Sequence, residues 1–388
     1  MDFHFTAEEE DFRAEFREWL SEHLVGDYAK HLGVGSATDP SCWELRLEWE
    51  KELAAGRWLN ITWPVEYGGR GGTLTQEVIF LMEFARARAP YWVGVHGRDL
   101  FGPTLLRHGS PGQKARFLPR ITAVEEFWGQ GFSEPEAGSD LAGLRTRAVR
   151  DGDHWVLNGQ KIWMTFGMYA DWLYVLCRTN PEAPKHAGIS LIMVPRHQDG
   201  VDIRPIRNIA GGREFCEVFL TDARTDADLV VGGVDDGWRV AMGTLGTERV
   251  LTTLASQFGF DGEMDDLRAE LRRRGRTADP LVRQRVAQAW IGLQINRYNN
   301  YRALTALIRR GELGPESSIS KLFWANWHRD FGAMMVDVLG ADELVVGDGY
   351  ELDPFQHVFV NSRAETIYGG ANEIQRNIVG ERVLGLPR

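Results

Sequence analysis

Cysteine is scarce in this sequence. Cys42, Cys177 and Cys216 are odd in number, far apart and free of any CxxC spacing, which excludes a disulfide framework and a cysteine-based zinc site. A reducing compartment, the cytoplasm, is the expectation, and no metal ligand set is expected. Basic charge is also in deficit: 44 lysines and arginines stand against 55 aspartates and glutamates, a balance of −11. Neither a nucleic acid nor an anionic membrane suits such a surface as the main partner, so an anionic ligand must be held by local groups. No run approaches the roughly 18 apolar residues of a membrane span. The acidic start, MDFHFTAEEEDF, lacks the basic segment and apolar run of a secretory leader. No GxGxxG follows a strand-like segment, which leaves a Rossmann dinucleotide site unsupported. Internal repeats and low-complexity stretches are missing as well.

What is present divides by hydrophobic period. From Thr6 to about Ile121 the pattern is helical: Thr6 and Glu9 have capping-box spacing, and Phe12, Phe16 and Leu20 recur every four residues. The glycine-rich loop Gly68-Gly69-Arg70-Gly71-Gly72 lacks the Lys-Ser/Thr ending of a P-loop and the strand before it, and reads as a helix connection. From Glu126 to Gly233 short β segments follow one another, among them RTRAVR, a turn at Asp151-Gly152-Asp153, WVLNGQKIWMT, WLYVLCR, ISLIMV and EVFL. Strands at this spacing without helices between them favour an antiparallel sheet or barrel. From Asp236 onward helical period returns. Val282, Val286, Ala289 and Leu293 mark one helix running to about Arg310, SSISKLFWANWHRDFGAMMVDVLG a second ending at Gly340, and Ile374, Ile378 and Val379 a tail. The fold expected is mostly α with a central β domain: a helical domain over 1–125, an antiparallel β domain over 126–235 and a four-helix bundle over 236–388.

Three places carry candidate chemistry. In FWGQGFSEPEAGSDLAG (127 to 143) a β-like stretch turns at Pro135 and Gly138, with Ser133, Ser139 and Asp140 around the turn. Such a loop presents N–H groups and hydroxyls to a ligand, or is an ordinary polar turn. In NGQKIWMTFG, Trp163 and Thr165 stand two apart in a strand and share a face, a plane beside a hydroxyl that suits a flat heteroaromatic cofactor or, equally, a core and an edge. Glu248 lies in the apolar helix MGTLGTERVLTTLA, without a lysine or arginine at the spacings of a surface pair. It is either a solvated glutamate or a carboxylate whose pKa apolar surroundings raise toward that of a carbon-acid base.

WPVEYGGRGG (63 to 72), FSEPEAGSDLAG (132 to 143), NGQKIWMTFG (158 to 167) and IYGGANEIQRNIVGERVLGLP (367 to 387) together resemble the acyl-CoA dehydrogenase family in order and spacing. The resemblance implies FAD as cofactor, with Phe132 and Ser133 facing the isoalloxazine, Ser139 near cofactor and thioester, Trp163 beside the ring, Thr165 near the hydride-accepting nitrogen and Glu373 toward ribose and adenine. Many members carry a catalytic glutamate directly after the tyrosine of the last motif, where this chain has Gly369 in Tyr368-Gly369-Gly370. A minority supply the base from the bundle helix at the site matching Glu248, followed here by Arg249. The implied reaction is α,β-dehydrogenation of an acyl-CoA: Glu248 takes the α proton, flavin accepts the β hydride, and the Gly369 N–H, with Ser139 and Arg249 nearby, binds the thioester. Electrons pass to an electron-transfer flavoprotein or similar acceptor. The rival readings are an acyl-CoA oxidase, an acyl-carrier-protein-linked dehydrogenase and a non-catalytic subunit of a heterotetramer. RRGRTADPLVRQR (273 to 285), Asp337 and Ala371 depart from common family residues and resemble an actinobacterial branch that includes heterotetramers acting on sterol side-chain thioesters. A homodimer, homotetramer or heterotetramer is expected.

Overall fold

Thr6 accepts the Glu9 N–H at 3.3 Å while the Glu9 carboxylate accepts the Thr6 N–H at 2.8 Å, a closed capping box that starts α1 (Ala7–His23). Phe12, Phe16 and Leu20 form its buried stripe. There follow α2 (Gly26–Lys30), α3 (Trp43–Ala55), α4 (Leu74–Arg86), α5 (Gly102–His108) and α6 (Pro111–Thr122), with capping boxes repeated at Thr73/Gln76 and Ser110/Gln113. The computed structural model describes residues 4–310 and 317–387, and the side chains of 246–256, 258, 310, 317 and 342 lie outside that description.

The central strands are β1 (Trp128–Gly131), β2 (Arg147–Asp151), β3 (His154–Thr165), β4 (Trp172–Arg178), β5 (Ile189–Pro195), β6 (Val201–Ile206), β7 (Phe215–Asp226) and β8 (Val230–Val231). They run β6-β7-β3-β2-β4-β5-β8 across one sheet, with β1 beside β4. The pairing is antiparallel except that β1 lies parallel to β4, and β2 meets β4 in parallel at Arg147 and Arg178. The mostly antiparallel sheet agrees with the sequence expectation, and the parallel neighbour β1 is the added feature. A parallel pair needs a long crossover, and the β2–β3 hairpin between β1 and β4 supplies it. That hairpin turns at Gly152, φ 59°, between the paired Asp151 and His154. Strand β4 is apolar on both faces for a reason: Tyr174 and Leu176 pack with Phe101, Leu105 and Phe117 of the helices, while Leu173, Val175 and Cys177 pack with Ile192, Val194 and Val218 of the sheet.

The rest is helical: α7 (Gly237–Arg273), α8 (Pro280–Arg310), α9 (Ser317–Leu339), α10 (Pro354–Asn361) and α11 (Asn372–Ile378). Phe260, Met264 and Leu267 of α7, Val282 and Leu293 of α8, and Trp324, Phe331 and Met335 of α9 form one buried cluster, against which Phe355 and Val358 of α10 pack. Gly340, φ 104°, ends α9 in the left-handed conformation that glycine adopts without strain. The chain separates into two compact units, Met1–Asn208 with Gly212–Glu248, and Ile209–Gly211 with Arg249–Arg388. Among the described residues no helix is long and apolar enough to cross a membrane.

Candidate active site

In the first unit the loop after β1 is organised by a buried pair that the sequence motifs contain but do not advertise. Lys161 of β3 is fully buried; its Nζ donates to Glu134 Oε1 at 2.8 Å and to the Phe132 carbonyl at 3.1 Å. Glu134 also accepts the N–H groups of Arg145 at 2.6 Å and Thr146 at 2.9 Å. Burial pushes the Glu134 carboxyl up, but Lys161 and these donors outweigh it and hold it below the usual range. The Ile162 N–H donates to the Ser133 carbonyl at 3.0 Å, so Phe132 and Ser133 are fastened to the strand that carries Trp163 and Thr165. The sign of Lys161 in the sequence is its parity: Trp155 and Leu157 point inward, and a lysine at the same parity needs a buried carboxylate.

Strand parity then breaks. Between Lys161↔Val218 and Met164↔Cys216 the register slips, so Ile162 and Trp163 oppose Glu217 alone, a β-bulge. Trp163 sits there at φ 61°, a left-handed conformation rare for a bulky residue. The bulge turns its indole outward, 57% exposed, edge-on to Phe215 at 6.2 Å, while Met164 is buried and Thr165 half-buried. An outward indole held in a strained backbone offers a flat face to a ring, and strain of this kind clusters at functional sites. Ser139 is exposed on the same loop, and its neighbour Asp140 is held by Lys185 at 2.7 Å through both oxygens.

In the second unit the Tyr368-Gly369-Gly370 segment leaves the turn Ala364–Thr366, whose last hydrogen bond runs from the Tyr368 N–H to the Ala364 carbonyl at 3.0 Å. Gly369 and Gly370 take φ 61° and 93°. The buried Gln375 of α11 donates to the Gly369 carbonyl at 3.3 Å, and a Cβ on Gly370 would meet its amide nitrogen at 2.4 Å. Glu373 is exposed and pairs with Arg376 of its own helix at 3.3 Å. Asp337 pairs with Arg285 across α9 and α8, and Ala371 occupies the start of α11 without a side-chain cap. Glu248 and Arg249 belong to α7, but their side chains lie outside the described residues. In the glycine-rich loop the N–H groups of Gly68, Gly69, Gly71 and Gly72 all donate to backbone carbonyls of residues 61–65. Those donors are spent on the turn, as a helix connection requires.

The first unit thus joins helices to a mostly antiparallel sheet with an outward tryptophan on a bulge, and the helical second unit carries a double glycine after an exposed tyrosine. The chain belongs to the acyl-CoA dehydrogenase family: models of its N-terminal, middle and C-terminal domains match residues 6–125, 129–223 and 235–384. It is similar to the acyl-CoA dehydrogenase IpdE1 of Mycobacterium tuberculosis (strain H37Rv), 48% identical over 380 residues, 98% of each chain. Among solved structures it resembles the Tcur3481-Tcur3483 steroid ACAD, with TM-score 0.87, 30% identity and 100% of both chains covered. It also resembles the ChsE4-ChsE5 complex from Mycobacterium tuberculosis, with TM-score 0.82, 29% identity and 100% of both chains. Members of the family are FAD flavoproteins, and the protein is an oxidoreductase of that kind.

Proposed function

We propose that the protein dehydrogenates the acyl chain of a coenzyme A thioester between its α and β carbons, with Glu248 as the base. The pairing that carries this reading is a glycine at 369, φ 61°, with a glutamate at 248 on α7. The glycine leaves its position without a carboxylate, and the helix supplies one. FAD provides the two-electron acceptor for the hydride. Phe132, Ser133, Ser139, Trp163, Thr165 and Glu373 are the residues proposed to hold it, and the outward indole of Trp163 fits a flat ring. Glu248 takes the α proton as the thioester carbonyl gains enolate character, and the Gly369 N–H, a preorganised donor, stabilises the oxygen. Ser139 and Arg249 are proposed to line the thioester side.

The domain division 1–125, 126–235 and 236–388 is part of the same proposal, supported by the three model matches. Likeness to the Tcur3481-Tcur3483 steroid ACAD supports a bulky, steroid-derived acyl group, and the two different chains named in it and in the ChsE4-ChsE5 complex support a heteromer over a homotetramer. A cytoplasmic location and a separate flavoprotein as electron acceptor complete the reading.

The test is Glu248→Gln under anaerobic titration with a panel of acyl-CoA thioesters. The isosteric amide keeps FAD and binds thioester, while flavin reduction falls about a thousandfold or more, the sum of a lost general base and disturbed alignment. Near-normal reduction would move the base elsewhere, with Glu365 and Glu373 next in line.

A further inference from the structure

The second unit gathers charge inside its core. His328, in the middle of α9, is 4% exposed; its Nε2 meets Glu263 Oε2 of α7 at 2.7 Å and its Nδ1 meets Glu365 Oε2 at 2.7 Å. Two turns earlier on α9, the buried Lys321 donates from Nζ to the Glu365 carbonyl at 2.6 Å. The Phe260 ring covers the imidazole at 4.1 Å, with Trp327 at 6.0 Å and Phe331 at 6.2 Å. Burial by itself would strip the proton from His328, but attraction to the two carboxylates and their hydrogen bonds raise its pKa to about 10. The imidazolium therefore donates from both nitrogens and has no lone pair for a metal.

A buried ion cluster is a poor way to gain stability, because desolvation offsets the attraction. What it does fix is geometry. Glu365 lies in the turn Ala364–Thr366, four residues before Gly369, and α9 holds it twice, by side chain through His328 and by backbone through Lys321. On the other side Glu263 belongs to α7, the helix that also bears Glu248. We infer that His328 is a positioning residue, which clamps the Glu365 turn between α9 and α7 and so aims the Gly369 N–H at the thioester oxygen. The inference rests on the role proposed for Gly369. No proton moves: the imidazolium orients the segment, and a displacement of about 1 Å at a reacting centre is enough to cost on the order of a hundredfold in rate.

The experiment uses the full-length, FAD-loaded protein and a non-oxidisable acyl-CoA analogue carrying ¹³C at the thioester carbonyl, read by infrared difference spectroscopy. Binding to the wild type lowers the carbonyl stretch. In His328→Gln the band returns toward its free-ligand position, and flavin reduction by a true substrate slows tenfold to a hundredfold, on the order set by misalignment, with a smaller change in KM. Glu263→Gln, altered at the outer, partly exposed carboxylate, shows the same shifts in weaker form and serves if His328→Gln does not fold. A displaced wild-type band that stays unchanged in the variants, with only stability lowered, overturns the inference and leaves the proposed function standing. A wild-type band that never moves overturns both.

Discussion

The loop over 132–146 and the turn over 364–370 are both irregular segments pinned by buried charge, and they are pinned in opposite senses. In the first, Glu134 is surrounded by Lys161 and two backbone donors, and its charge is favoured below the ordinary carboxylate range. In the second, burial pushes Glu365 up in spite of His328 and Lys321, while the imidazolium is the favoured charge. A carboxylate satisfied by backbone N–H groups is part of the loop's own hydrogen bonding; an imidazolium between two side-chain carboxylates joins elements that are otherwise separate.

Removing the cation of the first clamp has the largest effect on stability. Lys161→Met leaves Glu134 buried without its partner and costs about 3–5 kcal/mol, measured by urea unfolding of the first unit's signal. Adding Glu134→Gln returns part of the loss, and a single variant as stable as the wild type would deny the clamp its role. The next effect separates the two clamps by pH. His328 has a folded pKa of about 10 against an ordinary 6.5, so its stabilisation is complete below about 6.5 and is lost as pH rises through 10. Glu134 is depressed from 4.5, so its stabilisation is present above that value and is lost as pH falls through the lower folded pKa. The thermal-midpoint gap between wild type and His328→Gln accordingly closes toward alkaline pH, and that for Lys161→Met closes in acid. Gaps that move in parallel would erase the distinction.

Local rules make much of this fold legible in sequence. The capping box at Thr6, the buried stripe of Phe12, Phe16 and Leu20, the hairpin at Gly152 and the end of α9 at Gly340 depend on neighbours within a turn or two. The two motifs that hold Phe132, Ser133, Trp163 and Thr165 are joined in the fold by the Ile162 N–H to Ser133 carbonyl hydrogen bond. What stayed hidden depends on pairing across the chain: the Lys161–Glu134 contact spans 27 residues, and the His328 contacts span 37 and 65. Nothing in the sequence beside Glu365 signals that its carboxylate is engaged by His328. The bulge at Trp163 is set by register against β7, which no single strand encodes.

The smallest expected effect concerns that bulge. Trp163→Gly removes a side chain from a left-handed position, and the FAD-free protein gains up to about 1 kcal/mol in thermal or urea unfolding. FAD binds more weakly in the same variant. A destabilised FAD-free protein would mean that the indole is packing rather than a ligand surface.

The two ends of the sheet differ in kind from its middle. At one end β8 has only two paired residues; at the other β6 presents Asp202, Arg204 and Pro205. A charged edge with a proline, opposite an edge too short to template another strand, discourages strand-by-strand growth between copies. A strand added at the β6 end would find no donor at Pro205, and one added at the β8 end would find only two residues to align on.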